Sequence, residues 1–374
     1  MRVLLVAGEA SGDAHASKVA RLLLERGASI SAVVGPRLRQ LPVHRLADID
    51  DLAVVGVVEV LRHLPRILRI RRRLEQEIRS GRHDLLLTVD YPGLNLRLAR
   101  TAHQHGIPVL HYIGPQVWAW RAHRLRALRE HVDHVALVLP FEEVLYRRTG
   151  VSASFVGHPL LEDEYPSTGI DCDLAVFPGS RRQEIETHLP VLLQAASAYR
   201  SRHGGLDLRV SLASPALRDA VARRIEAYGF DPATTLVLEP AGQLMRRSRA
   251  SLVASGTATL EAALAGRPFA VFYRTSALTF AIARRLVKVR HVALANLVAE
   301  SPFVREHVQA DFSVERMLAE IERLLRDESE RQRIETACLG VRQRLGQPGA
   351  SRRVADLAES LLRHRASHTT VAPS

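Results

Sequence analysis

RVLLVAGEASGDAH, residues 2–15, decides the fold reading: an apolar run of strand length enters a small-residue turn and then a helix start. That is the first step of a doubly wound parallel sheet, whose ligands gather at the carboxyl ends of the strands. The turn carries two acids, Glu9 and Asp13, and its glycines, Gly8 and Gly12, lack G-x-G-x-x-G spacing. A pyrophosphate needs free N–H groups and positive potential at a helix start, and these carboxylates repel it. Two readings follow from the turn alone. One is helix capping by Ser11 or Asp13; the other is an edge that binds hydroxyls or handles protons while phosphates are held elsewhere.

Outward from this turn, short apolar runs alternate with amphipathic stretches. SAVVG (31–35), DLLLTVD (84–90), IPVLHYIG (107–114), HVALVLP (134–140) and ASFVG (153–157) read as strands. The alternation then restarts with DLAVFPGS (173–180), LRVSLAS (208–214), TLVLEP (235–240), ASLVASG (250–256) and PFAVFYR (268–274). Alternation of this kind predicts an α/β fold with two doubly wound, Rossmann-like parallel-sheet domains and a cleft between them. Residues 1–165 form the first domain and 171–345 the second, joined by the aperiodic GHPLLEDEYPSTGIDCD (157–173). Residues 346–374 supply a C-terminal helix, packing back on the first domain or onto a second protomer of a homodimer, and a polar tail.

The second domain holds two turns suited to anions. In VFPGSRRQEIE (176–186), Gly179 permits close backbone approach, Ser180 offers a hydroxyl and an N–H, and Arg181 offers a planar fork for phosphate oxygens. In SLVASGTATLEAALAGRP (251–268), Ser255, Gly256 and Thr257 open a small-residue helix, and Glu261 one turn on can accept ribose hydroxyls. The alternatives are an N-capped junction with a solvated arginine, and a close-packed helix with a capping glutamate. In the first domain, Asp90 ends a buried run before YPGLN. It is either a turn-initiating aspartate or a carboxylate placed for proton transfer on the ligand edge.

Composition narrows the classes. Lys and Arg number 52 against 40 Asp and Glu, a net charge of +12 that suits an anionic partner. The two cysteines, Cys172 and Cys338, form neither a disulfide framework nor a zinc ribbon, which suits a reducing cytoplasm. No apolar run reaches membrane-span length. DID (48–50) and DCD (171–173) look like the acidic pair of metal-dependent sugar transferases but read as solvated, and His111, His123 and His158 lack metal-ligand spacing. From Pro65, which suits a helix start, Ile67, Ile70, Leu74 and Ile78 form one stripe and Arg62, Arg66, Arg69 and Arg73 a basic one. With Trp118 and Trp120 in PQVWAWRAHRLRALR (115–129), this is either a core-facing helix or a surface for anionic lipid.

The motifs GEASGD, LAVVGVVEVL, DYPGLN, YIGPQVWAWR, LPFE, GHPL, FPGSRRQEI, ASGTATLE and LANLVAE, in this order from residue 2 to about 310, resemble the lipid-A-disaccharide synthase family of inverting GT-B glycosyltransferases. Peptidoglycan glycosyltransferases and sugar-nucleotide epimerases share GT-B folds without PQVWAW and GEASGD. The resemblance implies UDP-2,3-diacylglucosamine as donor and 2,3-diacylglucosamine 1-phosphate as acceptor. The products are a β-1,6-linked disaccharide 1-phosphate and UDP, with no cofactor or metal. It implies a cytoplasmic enzyme working peripherally on the inner face of the membrane, without nucleic acid. By motif it places Asp90 as the catalytic aspartate, Arg181 in the donor-phosphate loop, Glu261 on the UDP ribose, Asn296 on the donor side, and Glu9 and Ser11 on the substrate edge. Gly114 departs from a common serine, Ala295 from a proline, Gly93 and Leu94 from an Asp-Phe pair, and ESPFVREHVQ (300–309) is a loose version of its segment. The alternatives are another UDP-sugar GT-B transferase or epimerase, and a non-catalytic basic binder of membrane or nucleic acid.

Overall fold

A computed structural model describes residues 1–52, 57–116, 124–163, 169–276, 280 and 291–369, with the side chains of 57–64 and 364–369 outside that description. The chain divides into two compact units, Met1–Glu162 with Gly346–Ser374, and Asp163–Leu345.

The first unit is built on seven parallel strands: β1 (Arg2–Ala7), β2 (Ser29–Val34), β3 (His44–Asp48), β4 (Leu85–Val89), β5 (Val109–Tyr112), β6 (His134–Leu137) and β7 (Ala153–Phe155). Their order is β3-β2-β1-β4-β5-β6-β7. β4 is buried along its whole length, as expected for a central strand covered on both faces. One face packs Leu4, Val6, Leu86, Val109 and Val135 against Leu74 and Ile78 of the helix Val57–Arg79, and Leu98 and Ala102 of the helix Pro92–Gln104. The order reverses between β1 and β4, whose register runs from Val3↔Leu85 to Ala7↔Val89. The loops leaving these two strands therefore meet at a switch point, and they are the GEASGD turn and Asp90-Tyr91.

The second unit repeats the plan with β8 (Cys172–Phe177), β9 (Leu208–Ser211), β10 (Leu236–Val237), β11 (Ser248–Ala254), β12 (Phe269–Tyr273) and β13 (Glu306–Val308), ordered β10-β9-β8-β11-β12-β13. Its reversal lies between β8 and β11, so PGSR and SGT share the corresponding edge. The C-terminal helix Ala350–Thr369 belongs to the first unit. Ser351 donates from N and Oγ to the Glu162 carboxylate at 2.7 Å each, Arg353 Nε donates to the Val156 carbonyl at 2.8 Å, and Arg26 pairs with Asp356 at 2.8 Å.

Several expectations needed correction. β3 and β13 are short edge strands without an apolar run, and TLVLEP yields only the two residues of β10. Pro65 lies inside the helix Val57–Arg79 rather than at its start. Asp48 of DID is buried at the end of β3 and paired with Arg39 and Arg45, because two guanidiniums offset its desolvation.

Candidate active site

Asp90 and Tyr91 follow β4 with φ of 45° and 49°, two consecutive non-glycine residues in the left-handed region. Such strain persists only where surrounding structure over-determines it. Asn95, fully buried on the helix that starts at Pro92, donates from Nδ2 to the Asp90 carbonyl at 2.6 Å, and Asp90 N–H donates to the Tyr112 carbonyl at 2.9 Å. The Tyr91 ring lies against Gly8, where a Cβ would land inside it, and its hydroxyl donates to the Leu52 carbonyl at 3.2 Å. Gly8 is required by this close approach, which binds the two switch-point loops together. Burial raises the Asp90 pKa above the usual aspartate value, and the Glu9 charge raises it further, against the lowering effects of the Tyr91 N–H and Arg124. A carboxylate biased towards its protonated form at a sheet's carboxyl edge is suited to taking up a proton.

Glu9 is exposed and precedes the helix Ala10–Glu25 without a capping hydrogen bond from its side chain, and Ser11 is exposed in the first turn. Gly12 is buried in ordinary contact with Ala7. Asp13 differs from the substrate-edge reading. It is 1% exposed, and its carboxylate accepts from the N–H groups of Gly35 at 2.8 Å, Arg37 at 2.7 Å and Leu38 at 3.2 Å. Asp13 therefore caps the turn after β2 instead of facing a ligand.

In the second unit, Gly179 has φ of 116° and leads into the helix Arg182–His203. An acid has entered this loop from within. Glu184 Oε2 accepts from the N–H of Ser180 at 3.0 Å and of Arg181 at 3.3 Å, and its side chain fills the space a Cβ on Gly179 would need. Two of the N–H groups expected to meet phosphate are thus already partnered. What remains presented is the Arg181 side chain, 66% exposed and only loosely paired with Glu184 at 3.7 Å, together with the exposed Ser180.

On the second strand of that edge, Ser255 Oγ donates to the Val292 carbonyl at 2.9 Å, Gly256 has φ of 145°, and Thr257 is exposed at the start of the helix Ala258–Ala265. Burial and then the Asp163 charge push the Glu261 carboxyl up to about 7, with the Gly242 N–H opposing them. Asn296, by contrast, is fully buried and spends its amide internally. Nδ2 donates to the Val304 carbonyl at 2.9 Å and to Glu306 Oε1 at 2.8 Å, and Oδ1 accepts from Val304 N–H at 3.1 Å. Glu306 also accepts from Val292 and Ala293 N–H at 2.8 and 3.0 Å. Asn296 is thus a staple of its own segment, which corrects its reading as a ligand contact.

The helix Val57–Arg79 turns Ile70, Leu74 and Ile78 into the core with Ile67 packed beside them, while Arg66, Arg69 and Arg73 are exposed. Its apolar stripe is thereby committed to the sheet, which corrects the reading of Ile67 and Ile70 as membrane-facing. The Arg62 side chain, Trp118, Trp120 and His123 lie outside the described residues. No described helix is long and apolar enough to cross a membrane. Among the described residues, no group of three His, Cys, Asp or Glu side chains is arranged to hold a metal ion. Burial keeps His111 near 4 and His158 near 3, with the His15 charge adding to the latter.

Gly114 has its own local reason. A Cβ there would stand 2.7 Å from both Leu137 Cδ2 and the Tyr146 hydroxyl, which donates to the Pro115 carbonyl at 2.9 Å. Gly114→Ser is expected to destabilise the fold by about 1–3 kcal/mol through overpacking. Adding Tyr146→Phe should recover part of that loss in urea titration.

Sequence reasoning missed Tyr91, Arg124, Glu184, His188 and Glu306. Glu184 and His188 were within its reach, because their i,i+4 spacing puts them on one face of the helix that follows the loop.

The profile of the lipid-A-disaccharide synthetase family matches residues 3–360. A lipid-A-disaccharide synthase of Geobacter sulfurreducens is 40% identical over 375 residues, covering 96% of this chain and 97% of that protein. One from Anaeromyxobacter dehalogenans is 42% identical, covering 97% and 98%. Among solved structures, UDP-GlcNAc 2-epimerase from Neisseria meningitidis bound to UDP-GlcNAc superposes with a TM-score of 0.62 at 12% identity, covering 97% of this chain and all (100%) of that one. MurG from Acinetobacter baumannii gives 0.59 at 17% identity, covering 96% and 99%. These two likenesses concern the fold.

Proposed function

The chain belongs to the lipid-A-disaccharide synthetase family, and from that premise we propose which of its groups carry out the glycosyl transfer. It is a GT-B-like hexosyltransferase that makes the lipid A disaccharide from lipid-bearing sugars. In our reading the donor is UDP-2,3-diacylglucosamine and the acceptor 2,3-diacylglucosamine 1-phosphate.

Asp90 takes the proton of the acceptor's 6-hydroxyl. The oxygen forms a bond to the anomeric carbon from the face opposite UDP, the bond from that carbon to the diphosphate oxygen breaks, and UDP leaves with the electron pair. The product is the inverted, β-1,6-linked disaccharide 1-phosphate. Arg181 and Ser180 neutralise charge on the departing diphosphate, Ser255, Gly256 and Thr257 line the donor side, and Glu261 accepts the ribose hydroxyls. Gly179 allows the close packing of Glu184 against its loop, and Gly12 stands beside Glu9 and Ser11, which border the acceptor. No metal or cofactor belongs to this reading. The observation that carries it is the placement of the raised Asp90 carboxyl at one switch point and of PGSR at the other.

The test is incubation with both substrates and mass analysis for a tetra-acyl disaccharide 1-phosphate. Turnover of UDP-GlcNAc to its epimer without disaccharide would support the rival enzyme instead. The exposed arginines at 66, 69 and 73 support peripheral docking at the inner face of the membrane. Flotation with anionic against zwitterionic vesicles, beside salt-titrated RNA binding, separates that partner from nucleic acid. A homodimer is part of the reading only if light scattering returns twice the monomer mass.

Glu261 makes a further prediction. Its folded-state value of about 7 lies above its ordinary 4.5, so folding favours the protonated form. Below about pH 4.5 both states are protonated and nothing is lost. Stability then falls as pH rises towards 7, by on the order of 3 kcal/mol in all. Glu261→Gln should therefore raise Tm at pH 8 and change it little at pH 4, while weakening UDP binding. Equal Tm gains at both pH values would remove the titration from the explanation.

A further inference from the structure

We infer that His188 is a positioning residue for the donor loop, a role that rests on the reading of PGSR as the diphosphate site. His188 is fully buried one turn beyond Glu184. Its Nδ1 is 2.8 Å from the Pro178 carbonyl, and its Nε2 is 3.1 Å from Arg274 N and 3.0 Å from Arg274 O. A carbonyl only accepts, so Nδ1 carries a proton and donates to Pro178, while Nε2 meets both the N–H and the carbonyl of Arg274.

The far anchor is rigid. The Arg274 guanidinium donates to the Gln309 and Phe312 carbonyls, and the Gln309 side chain holds Thr275 by its N–H at 3.0 Å and its carbonyl at 3.2 Å. The imidazole also stands edge-on to Phe272 and Phe312, with centroids at 5.2 and 5.6 Å. The ring is thus fixed, and it pins the one carbonyl that opens the loop.

In a trans peptide the carbonyl and the next N–H point in opposite directions. Pinning Pro178 O inward onto His188 therefore turns the Gly179 N–H outward. Glu184 already takes the N–H groups of Ser180 and Arg181, so the Gly179 amide is the loop donor that His188 orients for a diphosphate oxygen. His188 itself touches no substrate.

Asparagine and glutamine variants divide the two ends of the ring. The Asn amide nitrogen takes the place of Nδ1, and the Gln amide takes that of Nε2. Calorimetric titration of the full chain with UDP should show His188→Leu binding on the order of tenfold more weakly. His188→Asn should recover most of that loss and His188→Gln little of it, with the acceptor KM unchanged in all three. Should the Leu variant not fold, the Asn–Gln contrast decides. UDP binding by His188→Leu at the parent's affinity, or equal losses in Asn and Gln, would overturn the inference. The parent and Arg181→Ala serve as the control. A parent that binds no UDP removes the donor-site reading itself, whereas a parent that binds and a His188 series that does not respond removes only the positioning role.

Discussion

Asp90→Asn is expected to lower kcat by about 10²- to 10⁴-fold, the usual range for loss of a general base, with the folded state intact. Asparagine keeps the shape of the side chain, and its backbone tolerates the left-handed conformation that φ of 45° demands. The Asn95 bond to the Asp90 carbonyl is also untouched, because at the Asp90 end it is made to main chain. What is removed is the proton acceptor. Burial and the Glu9 charge raise Asp90's pKa, so in the parent the acidic limb of kcat/KM should lie above the ordinary aspartate range. The rate should rise with pH as the carboxyl ionises. Glu9→Gln removes a like charge and should move that limb to lower pH without abolishing turnover. Near-normal turnover by Asp90→Asn would end the assignment. An unmoved limb in Glu9→Gln would leave burial as the sole cause of the shift.

How much of this was legible in the sequence depends on what each residue answers to. The central strands were readable because burial on both faces demands continuous apolar runs, as in LLLTV of β4. HRLAD and EHV escaped because edge strands gain their pairing from a single neighbour and need no such run. The positions of Asp90 and Arg181 at the carboxyl edges of their sheets were readable because a charged group beyond a buried strand stands out against its surroundings. The roles of Asp13 and Asn296 were not, since a carboxylate that caps the turn at 35–38 and an amide that staples Val304 to Glu306 reach partners outside their own helices, which no helical or strand period marks. Sequence spacing puts a polar group at the sheet edge, but only the fold shows whether its lone pairs are already spent. Glu184 makes the same point in reverse: an acid one helical turn beyond PGSR reaches back and takes two of the loop's N–H groups.

Arg181→Ala is expected to cost about 10²- to 10³-fold in kcat, the scale on which removing a transition-state donor acts. As the glycosidic bond breaks, the diphosphate oxygen gains a full negative charge, and the fork of Arg181 answers that charge more strongly than it answers the intact donor. Stability should scarcely change, because the guanidinium is 66% exposed and its pairing with Glu184 at 3.7 Å is long and solvated. Arg181→Lys retains a point charge without the planar fork and should fall between the two. The division between kcat and KM is the decisive reading. A raised donor KM with unchanged kcat would assign Arg181 to uniform binding of the ground state, and a fall in kcat carried fully into kcat/KM assigns it to the departing charge. Glu184→Gln sharpens the contrast, since it weakens the internal anion that competes for the same loop. If Arg181 answers leaving-group charge, that variant should bind UDP more tightly while Arg181→Ala binds it more weakly, and the two changes should fail to add because both act on one cradle.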